Sequence, residues 1–594
     1  MVGFAWLCCG LLALAMFTAC GSNRPSSGAA EHANDAQAGA PTARTLRGGV
    51  EEWFTDHTRD SGLDFVHFNG MSGEFYFPET IPPGVALLDY DNDGDLDVFA
   101  VQGQMLGNKA LSEALYPPQG PLKSRLYLND LEVHRDGTRT LRFTDVTDAS
   151  GIVAHGYAMG VATGDFNNDG CIDLYVTSLE RSQLFRNDCD GTFTDVSIES
   201  RTEDRGWSVS AAFVDYDRDG WLDLFVGNYV NYSIDANLRC ISVIGSLDYC
   251  PPSVYRAQPS HLYHNNRDGT FTDVTAAAGM AREFGPALGV STADFNGDGW
   301  IDIYVANDGA QNQLWINQND GTFNNVALLA GAALSLEGQA KASMGVDAGD
   351  FDNDGDEDLF ITELLGQGHY LFVNDGSGVF EERGAGAGVL LPSLPYTGFG
   401  AAWVDFDNDG WLDILSVNGA VTHNPEALAR NETFALRQAK QLFRNLGNGR
   451  FEDVTKQAGA VLQAPEVSRG AAFGDIDNDG DTDVVVANDS GPIQLLVNNL
   501  GNRKHWVGLR LVGRHGRDMV GARVSIVRTT GPTLWRRARA DGSYASANDP
   551  RVLVGLGDSA TIGNVRVQWP AGNVEEWTDV PVDRYTTLKE GEGK

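Results

Sequence analysis

The sequence predicts an all-β chain: a seven-bladed β-propeller with acidic inter-strand loops, followed by a small C-terminal β domain. Three observations predict it. Seven acidic nonapeptides recur, each flanked by β-strand signals. Each is followed by further strand and turn signals, so a repeat reads as a four-stranded antiparallel meander. The last meander lacks its fourth strand, and a matching unit stands ahead of the first loop.

The loops begin at Asp89, Asp165, Asp215, Asp294, Asp350, Asp405 and Asp475. Oxygen-bearing side chains fall at positions 1, 3, 5 and 9, with glycine at position 6. In the first, Asp89, Asp91 and Asp93 surround one centre. The backbone carbonyl of Asp95 supplies position 7, Asp97 reaches back from position 9, and Gly94 permits the tight turn. The same five positions are Asp165, Asn167, Asp169, Cys171 and Asp173 in the second loop, and Asp215, Asp217, Asp219, Trp221 and Asp223 in the third. They are Asp294, Asn296, Asp298, Trp300 and Asp302 in the fourth, and Asp350, Asp352, Asp354, Asp356 and Asp358 in the fifth. The sixth has Asp405, Asp407, Asp409, Trp411 and Asp413, and the seventh Asp475, Asp477, Asp479, Asp481 and Asp483. Position 7 varies in type, as expected where only its main-chain oxygen is used.

An all-oxygen cage of this kind suits Ca²⁺ better than Mg²⁺, with about one ion per blade. Asn167 and Asn296 lower the charge of their loops, which should bind more weakly. No His or Cys recurs at zinc-ligand spacing, and His155, His261 and His264 read as packing or surface residues. The loops are not EF-hands, since β-runs flank them and no Glu holds position 12. Asp-Gly and Asn-Gly also make turns unaided, but that does not require the whole pattern.

Strand signals follow in order. Gly160–Gly164 precedes a loop and Leu224–Val226 follows one. Third strands centre near Leu126, Leu184, Leu262, Leu314, Leu371, Leu442 and Leu495. Fourth strands start at Phe143, Phe193, Phe271, Phe323, Phe380 and Phe451, and the displaced unit is Phe54-Thr55-Asp56. A ring uses this offset, because the N-terminal strand can complete the last blade and remove exposed edges. A linear solenoid remains the alternative. The longest insertions lie near Gly103–Lys123, Asn228–Pro259 and Gly419–Gln438 and are expected to crown one face.

The net charge of -38 argues against nucleic acid as a partner. The apolar run from Val2 ends in Phe17-Thr18-Ala19-Cys20-Gly21 and resembles a bacterial lipoprotein signal cut before Cys20. That gives a signal over 1–19 and a flexible tether over 20–49, with a plain secretory signal or a membrane anchor as alternatives. A lipid on Cys20 would make the membrane contact, and Gly21 and Ser22 point to the outer membrane. Of the other cysteines, sequential pairing of Cys171 with Cys189 and Cys240 with Cys250 is the simplest of three possibilities.

The propeller is expected over 50–502. From Arg503 the chain turns basic and alternates as β-strands, giving a small domain over 503–580 and a tail over 581–594. Its arginines would dock on the acidic propeller, meet an anionic partner or simply solubilise the surface.

The nonapeptides and blade spacing resemble the FG-GAP/VCBS repeats of integrin-alpha-like propellers. Gly521-Ala522-Arg523-Val524, Gly542-Ser543-Tyr544, Gly555-Leu556-Gly557 and Val567–Gly572 resemble the ASPIC/UnbV domain. Together they resemble the bacterial relatives of cartilage acidic protein 1, which implies a Ca²⁺-binding secreted or surface-anchored protein. No catalytic motif stands out. The expected function is a calcium-binding scaffold of the cell envelope that binds a protein or glycan at the propeller face. The alternative is a lyase-like polysaccharide-degrading enzyme, for which Arg205, Arg469 and Tyr157 would have to converge at the central opening. A third reading is an assembly partner of an exported enzyme. Trp207, Trp221, Trp300, Trp403 and Trp411 stand beside loops, as blade packing or as a platform for sugars.

Overall fold

The computed structural model describes residues 52–242, 245–422 and 435–594. The signal, the tether and Cys20 lie outside them, as does part of the Gly419–Gln438 insertion. Among the described residues no helix is long and apolar enough to cross a membrane.

Each acidic loop joins the first two strands of a four-stranded antiparallel sheet. The second blade shows the pattern, with Ala158–Gly164, Asp173–Ser178, Gln183–Asn187 and Phe193–Asp195 lying in order across the sheet. Its first strand is rich in Gly and Ala and buried throughout, which suits the crowded centre of a ring. The seventh blade takes Ser468–Gly474, Asp483–Asn488 and Gln494–Asn498 from one end of the chain and Phe54–Asp56 from the other. Phe54 stands opposite Asn498 and Asp56 opposite Leu496. The ring therefore closes, and the solenoid alternative falls.

The joint between first and last blades is packed like the others. Val85, Leu87 and Val98 meet Val485 and Leu495 in one apolar core, and Phe54 joins Phe406, Val417, Phe473 and Val486 in the next. Burying one such side chain contributes about 1.5–3 kcal/mol, so closure rests on ordinary inter-blade packing. Disulfides Cys171–Cys189 and Cys240–Cys250 take the sequential pairing.

The C-terminal domain has two sheets. One orders Val552–Gly557, His505–Val512 and Tyr585–Lys589; the other orders Leu534–Arg537, Arg523–Val527, Asn564–Gln568 and Val574–Thr578. Val507, Leu509, Val524, Ile526, Val565 and Trp569 fill the space between them. Residues 581–594 are thus not a bare tail: Tyr585–Lys589 pairs in parallel with His505–Val512, and Leu588 is buried. A parallel partner so far upstream leaves no local signature in the sequence.

Between Leu534–Arg537 and Val552–Gly557 the chain leaves this domain and fills the centre of the propeller. Val346 N donates to Ser543 O at 3.0 Å, Val161 N to Ala545 O at 3.1 Å, and Ala547 N to Val85 O at 3.0 Å. Ala545 N donates to Ser210 Oγ at 3.0 Å, Thr292 N to Asp541 Oδ2 at 2.5 Å, and Phe473 N to Asn548 Oδ1 at 3.0 Å. Tyr544 is fully buried, lies edge-on to Phe399 and donates to Ile81 O at 3.0 Å. The plug thereby touches all seven blades. A Cβ on Gly84 or Gly160 would collide with the Ala545 carbonyl, which explains the glycines there. The central opening, where the enzyme alternative needs Arg205, Arg469 and Tyr157 to converge, is consequently filled, because the first strands satisfy main-chain groups on this segment.

Phe54→Ala should destabilise the full chain by about 3–5 kcal/mol in urea denaturation. A loss below about 1 kcal/mol, the scale of a mild core change, would show that the N-terminal strand does not hold the ring shut.

Candidate metal centres

Each nonapeptide turns its carboxylates inward because its own amides hold them. In the second loop Asp165 Oδ1 accepts from Asp169 N at 3.2 Å and Asp165 Oδ2 from Gly170 N at 2.8 Å. Asn167 Oδ1 accepts from Asp169 N at 3.1 Å, and Asp169 Oδ1 from Cys171 N at 2.9 Å. Asp173 accepts from Phe166 N at 2.9 Å and Asn187 N at 2.8 Å. The sixth loop repeats this, with Asp405 accepting from Asp409 N and Gly410 N.

Positions 1, 3 and 9 converge. Asp89, Asp91 and Asp97 each place one oxygen within 4.8 Å of the others, as do Asp215, Asp217 and Asp223, and Asp350, Asp352 and Asp358. Side chains at position 7 turn to other work. Cys171 is in a disulfide, Trp300 lies beneath the Arg218 guanidinium, and Asp95 Oδ1 accepts from Asn478 Nδ2 at 2.8 Å. In the second, third, fourth and sixth loops, where position 7 is Cys or Trp, only its main-chain oxygen can serve a cation, whereas in the seventh loop Asp481 Oδ1 is buried with no hydrogen-bond partner. The group Asp169, Cys171 and Cys189 offers no thiolate, since its sulfurs are bonded to each other.

The donors fit a hard divalent cation. Asp89 Oδ1, Asp352 Oδ1, Asp358 Oδ2, Asp407 Oδ1 and Asp477 Oδ1 are buried with no hydrogen-bond partner, a costly state that a cation would relieve. Burial pushes the carboxyls up, Asp97 to about 9, Asp302 to about 8, and Asp165 and Asp215 to about 6. Positions 1, 3, 5, 7 and 9 would hold the ion, which supplies positive charge that keeps these groups ionised.

Two sets of asparagines tie the loops into a circle. The residue at position 4 has a left-handed backbone, and its side chain reaches the next loop: Asn92 Nδ2 donates to Gly170 O at 3.0 Å and Asn168 Nδ2 to Gly220 O at 3.0 Å. Asn353 reaches Gly410 O, Asn408 reaches Gly480 O, and Asn478 returns to Gly94 O at 3.3 Å. The fourth loop has Gly297 there and lacks this link. The last residue of each third strand looks the other way. Asn187 Nδ2 donates to Tyr90 O at 2.7 Å and Asn129 Nδ2 to Ile476 O at 3.2 Å, spanning the first–seventh joint. The sequence reading missed both sets, although both recur visibly.

The C-terminal domain sits over this face with its arginines. Arg510 Nη1 lies 3.3 Å from Asp89 Oδ2. Buried Arg517 faces Asp215 and Asp165, and its Nη2 donates to Gly220 O at 3.4 Å. Arg536 faces Asp405 and Asp350 and donates to Gly410 O. Arg551 donates to Asp475 O at 2.8 Å, and Tyr585 to Asp475 Oδ2 at 3.0 Å. Arg537 and Glu357 form a buried pair at 3.1 Å, and Arg539 pairs with Asp347. Of the three readings of these arginines, docking on the propeller is the one realised.

Family models match on both parts: an FG-GAP-like repeat over residues 165–226, 253–305, 294–361 and 432–508, and ASPIC and UnbV over 513–594. The chain is an FG-GAP-repeat propeller with a C-terminal ASPIC/UnbV domain. It is related to cartilage acidic protein 1. The human protein is 30% identical over 179 residues, 29% of this chain and 26% of that protein. The Xenopus tropicalis protein is 30% identical over 171 residues, 28% of this chain and 26% of its own length. The matched stretch thus spans about a quarter of these relatives. Among solved structures, a Burkholderia pseudomallei lectin aligns with TM-score 0.38 at 12% identity, covering 70% of this chain and 96% of that one. An Agrocybe aegerita lectin specific for non-reducing terminal N-acetylglucosamine aligns with TM-score 0.36 at 15% identity, covering 69% and 87%. Scores this low carry no argument about this chain.

Other residues singled out in the FG-GAP propeller lie apart. Arg469 is fully buried and donates to the carbonyls of Thr80, Gly419, Ser468 and Ala420. Buried Tyr157 donates to Asn69 O at 2.8 Å, whereas Arg205 lies on the surface beside Glu203. The three do not converge. Trp207 and Trp403 are buried, the latter stacked on Phe351, so they pack blades and offer no sugar platform. His264 is a different matter, since it stands against the third loop.

The raised carboxyls set a pH dependence. A carboxyl whose folded value exceeds its unfolded one stabilises the fold below that value and loses the contribution as pH rises through it. Chelated protein should therefore melt at a lower temperature at pH 8 than at pH 6. The stabilisation added by Ca²⁺ should be larger at pH 8, where the ion no longer competes with protons. Calorimetry at both pH values checks this; an unchanged difference would contradict it. Asp352→Ala should weaken Ca²⁺ binding by more than Asn296→Ala in titration calorimetry, since it removes a full charge.

Proposed function

We propose that this protein is an exported, calcium-stabilised scaffold that binds a protein or glycan partner, with about one Ca²⁺ per blade. The carrying observation is the set of converging carboxylates whose buried oxygens have no partner of their own. Kinship with cartilage acidic protein 1 supports a calcium-associated role outside the cytoplasm. The two disulfides support an oxidising compartment, and a lipidated Cys20 would hold the protein at the outer membrane.

The loop face lies under the ASPIC/UnbV domain, so the partner site is assigned to the opposite face. There the chain after the second strands forms long insertions. Tyr249 OH meets Glu79 at 2.9 Å, Arg239 pairs with Glu74, and Lys109 lies 3.0 Å from the same Glu74. A cavity of about 160 Å³ lined by Phe77, Tyr229, Tyr249, Met344 and Phe399 opens among them. Its aromatic walls suit an apolar side chain or a sugar face.

Elemental analysis of the purified chain should find several calcium ions, and excess chelator should lower the melting temperature. Each site saturated a thousandfold above its Kd adds about 4 kcal/mol. Coincident melts with and without chelator would refute the calcium role. A glycan and envelope-protein panel should yield a binder that Phe77→Ala or Tyr249→Ala abolishes; binding indifferent to both would move the partner site elsewhere.

A further inference from the structure

The third loop differs from its counterparts in what the neighbouring strand presents to it. In the register next to the last residue of the third strand, the other blades carry Leu128, Arg186, Ile316, Val373, Arg444 and Val497. Here the residue is His264. Its Nδ1 lies 3.3 Å from Asp217 Oδ2 and 3.2 Å from Asp223 Oδ1. Asp217, Asp219 and His264 each place one donor atom within 4.8 Å of the others, and Asp217 also belongs to the oxygen set of Asp215 and Asp223. Neighbouring ligands around an ion held at about 2.1 Å are separated by about 3.0–3.4 Å. The imidazole nitrogen is therefore already at ligand spacing from two carboxylates of the loop.

Two contacts shape the preference of this site. Arg267 places Nη2 2.6 Å and Nε 2.9 Å from Asp219 Oδ2, so one carboxylate is already neutralised. The His264 ring stands edge-on to Tyr216 at 6.2 Å between centroids, which restrains its orientation. Compared with the fifth loop, where Asp352 Oδ1 and Asp358 Oδ2 are buried without partners, the third offers less free charge to a hard ion and one borderline nitrogen. Ca²⁺ takes oxygen ligands and gains little from an imidazole, whereas first-row transition ions bind it well, Cu²⁺ and Zn²⁺ among the strongest.

We infer that the third loop is a mixed nitrogen–oxygen metal site, completed by His264, that takes a first-row transition ion such as Zn²⁺ or Cu²⁺ in preference to Ca²⁺. The inference rests on the reading of the loops as cation sites. It makes the propeller a carrier of two kinds of metal, with the exceptional ion in one blade. The corresponding Arg444 of the sixth blade shows the other use of this register: it pairs with Asp407 at 2.5 Å as a fixed positive charge.

The test uses the full chain dialysed against millimolar Ca²⁺ and then titrated with Cu²⁺ or Zn²⁺ alone. The first equivalent of Cu²⁺ should give an electron paramagnetic resonance spectrum with nitrogen coupling from one imidazole. His264→Gln should abolish that coupling and weaken Zn²⁺ binding at least about tenfold, with the Ca²⁺ content of the other loops unchanged. Asp217→Asn should weaken Zn²⁺ in the same way while leaving the far-ultraviolet circular dichroism of the fold intact. Nitrogen coupling that persists in His264→Gln, or Zn²⁺ that binds the third loop no tighter than Ca²⁺, would overturn the inference and show His264 to be a counter-charge like Arg444. A wild-type chain that holds no Ca²⁺ at all would bring down the cation reading of every loop, and this inference with it.

Discussion

The constraint on which the rest depends is the crowding of carboxylates on one face of the ring. Aspartates stand at positions 1, 5 and 9 of all seven loops and at position 3 of five; those at positions 1 and 9 are largely buried, and such groups cannot all stay ionised without positive charge beside them. The chain meets this need from two sides. Cations would fill the concave side of each loop, where Asp89 Oδ1 and Asp477 Oδ1 lack partners. Arginines of the ASPIC/UnbV domain cover the outer side, with Arg510 on Asp89, Arg517 between Asp165 and Asp215, and Arg551 on the seventh loop. The acidic excess of the propeller and the basic character of the last domain are thus two halves of one arrangement.

The same arrangement makes the two domains mutually dependent. The first strands leave main-chain amides facing the axis, and Ser543, Ala545 and Ala547 answer them. The asparagine links pass from loop to loop around the rim and across the joint between blades seven and one. A disturbance in one loop therefore reaches its neighbours through hydrogen bonds as well as through packing.

Much of this was legible in the sequence. The loops announce themselves because their chemistry is local: nine residues suffice to place the ligands, and Gly94 or Gly170 marks the turn. Phe54-Thr55-Asp56 betrayed ring closure because it copies a unit present in six other places. What escaped was non-local. Asp541–Asp549 looks like a turn within its own domain, since its partners are main-chain groups and side chains scattered over seven distant strands. Tyr585–Lys589 lacked a neighbouring partner and so read as a tail. His264 is one residue in one blade, and only the sheet register brings it to Asp217. The asparagines at position 4 were visible as repeats, but their left-handed backbone and reach into the next loop are properties of the assembled ring.

The pairing of Phe54–Asp56 with Gln494–Asn498 has a consequence for how the molecule is made. Phe54–Asp56 must wait for the rest of the ring to be made before it finds its hydrogen-bonding mate, and the axial segment arrives later still. During that interval the growing polypeptide carries an unpaired sheet margin at each extremity and a hollow middle, a condition that invites mispairing with other copies. Biogenesis of such an object is a race between completion and aggregation, won only when the first and last strands of the ring have met.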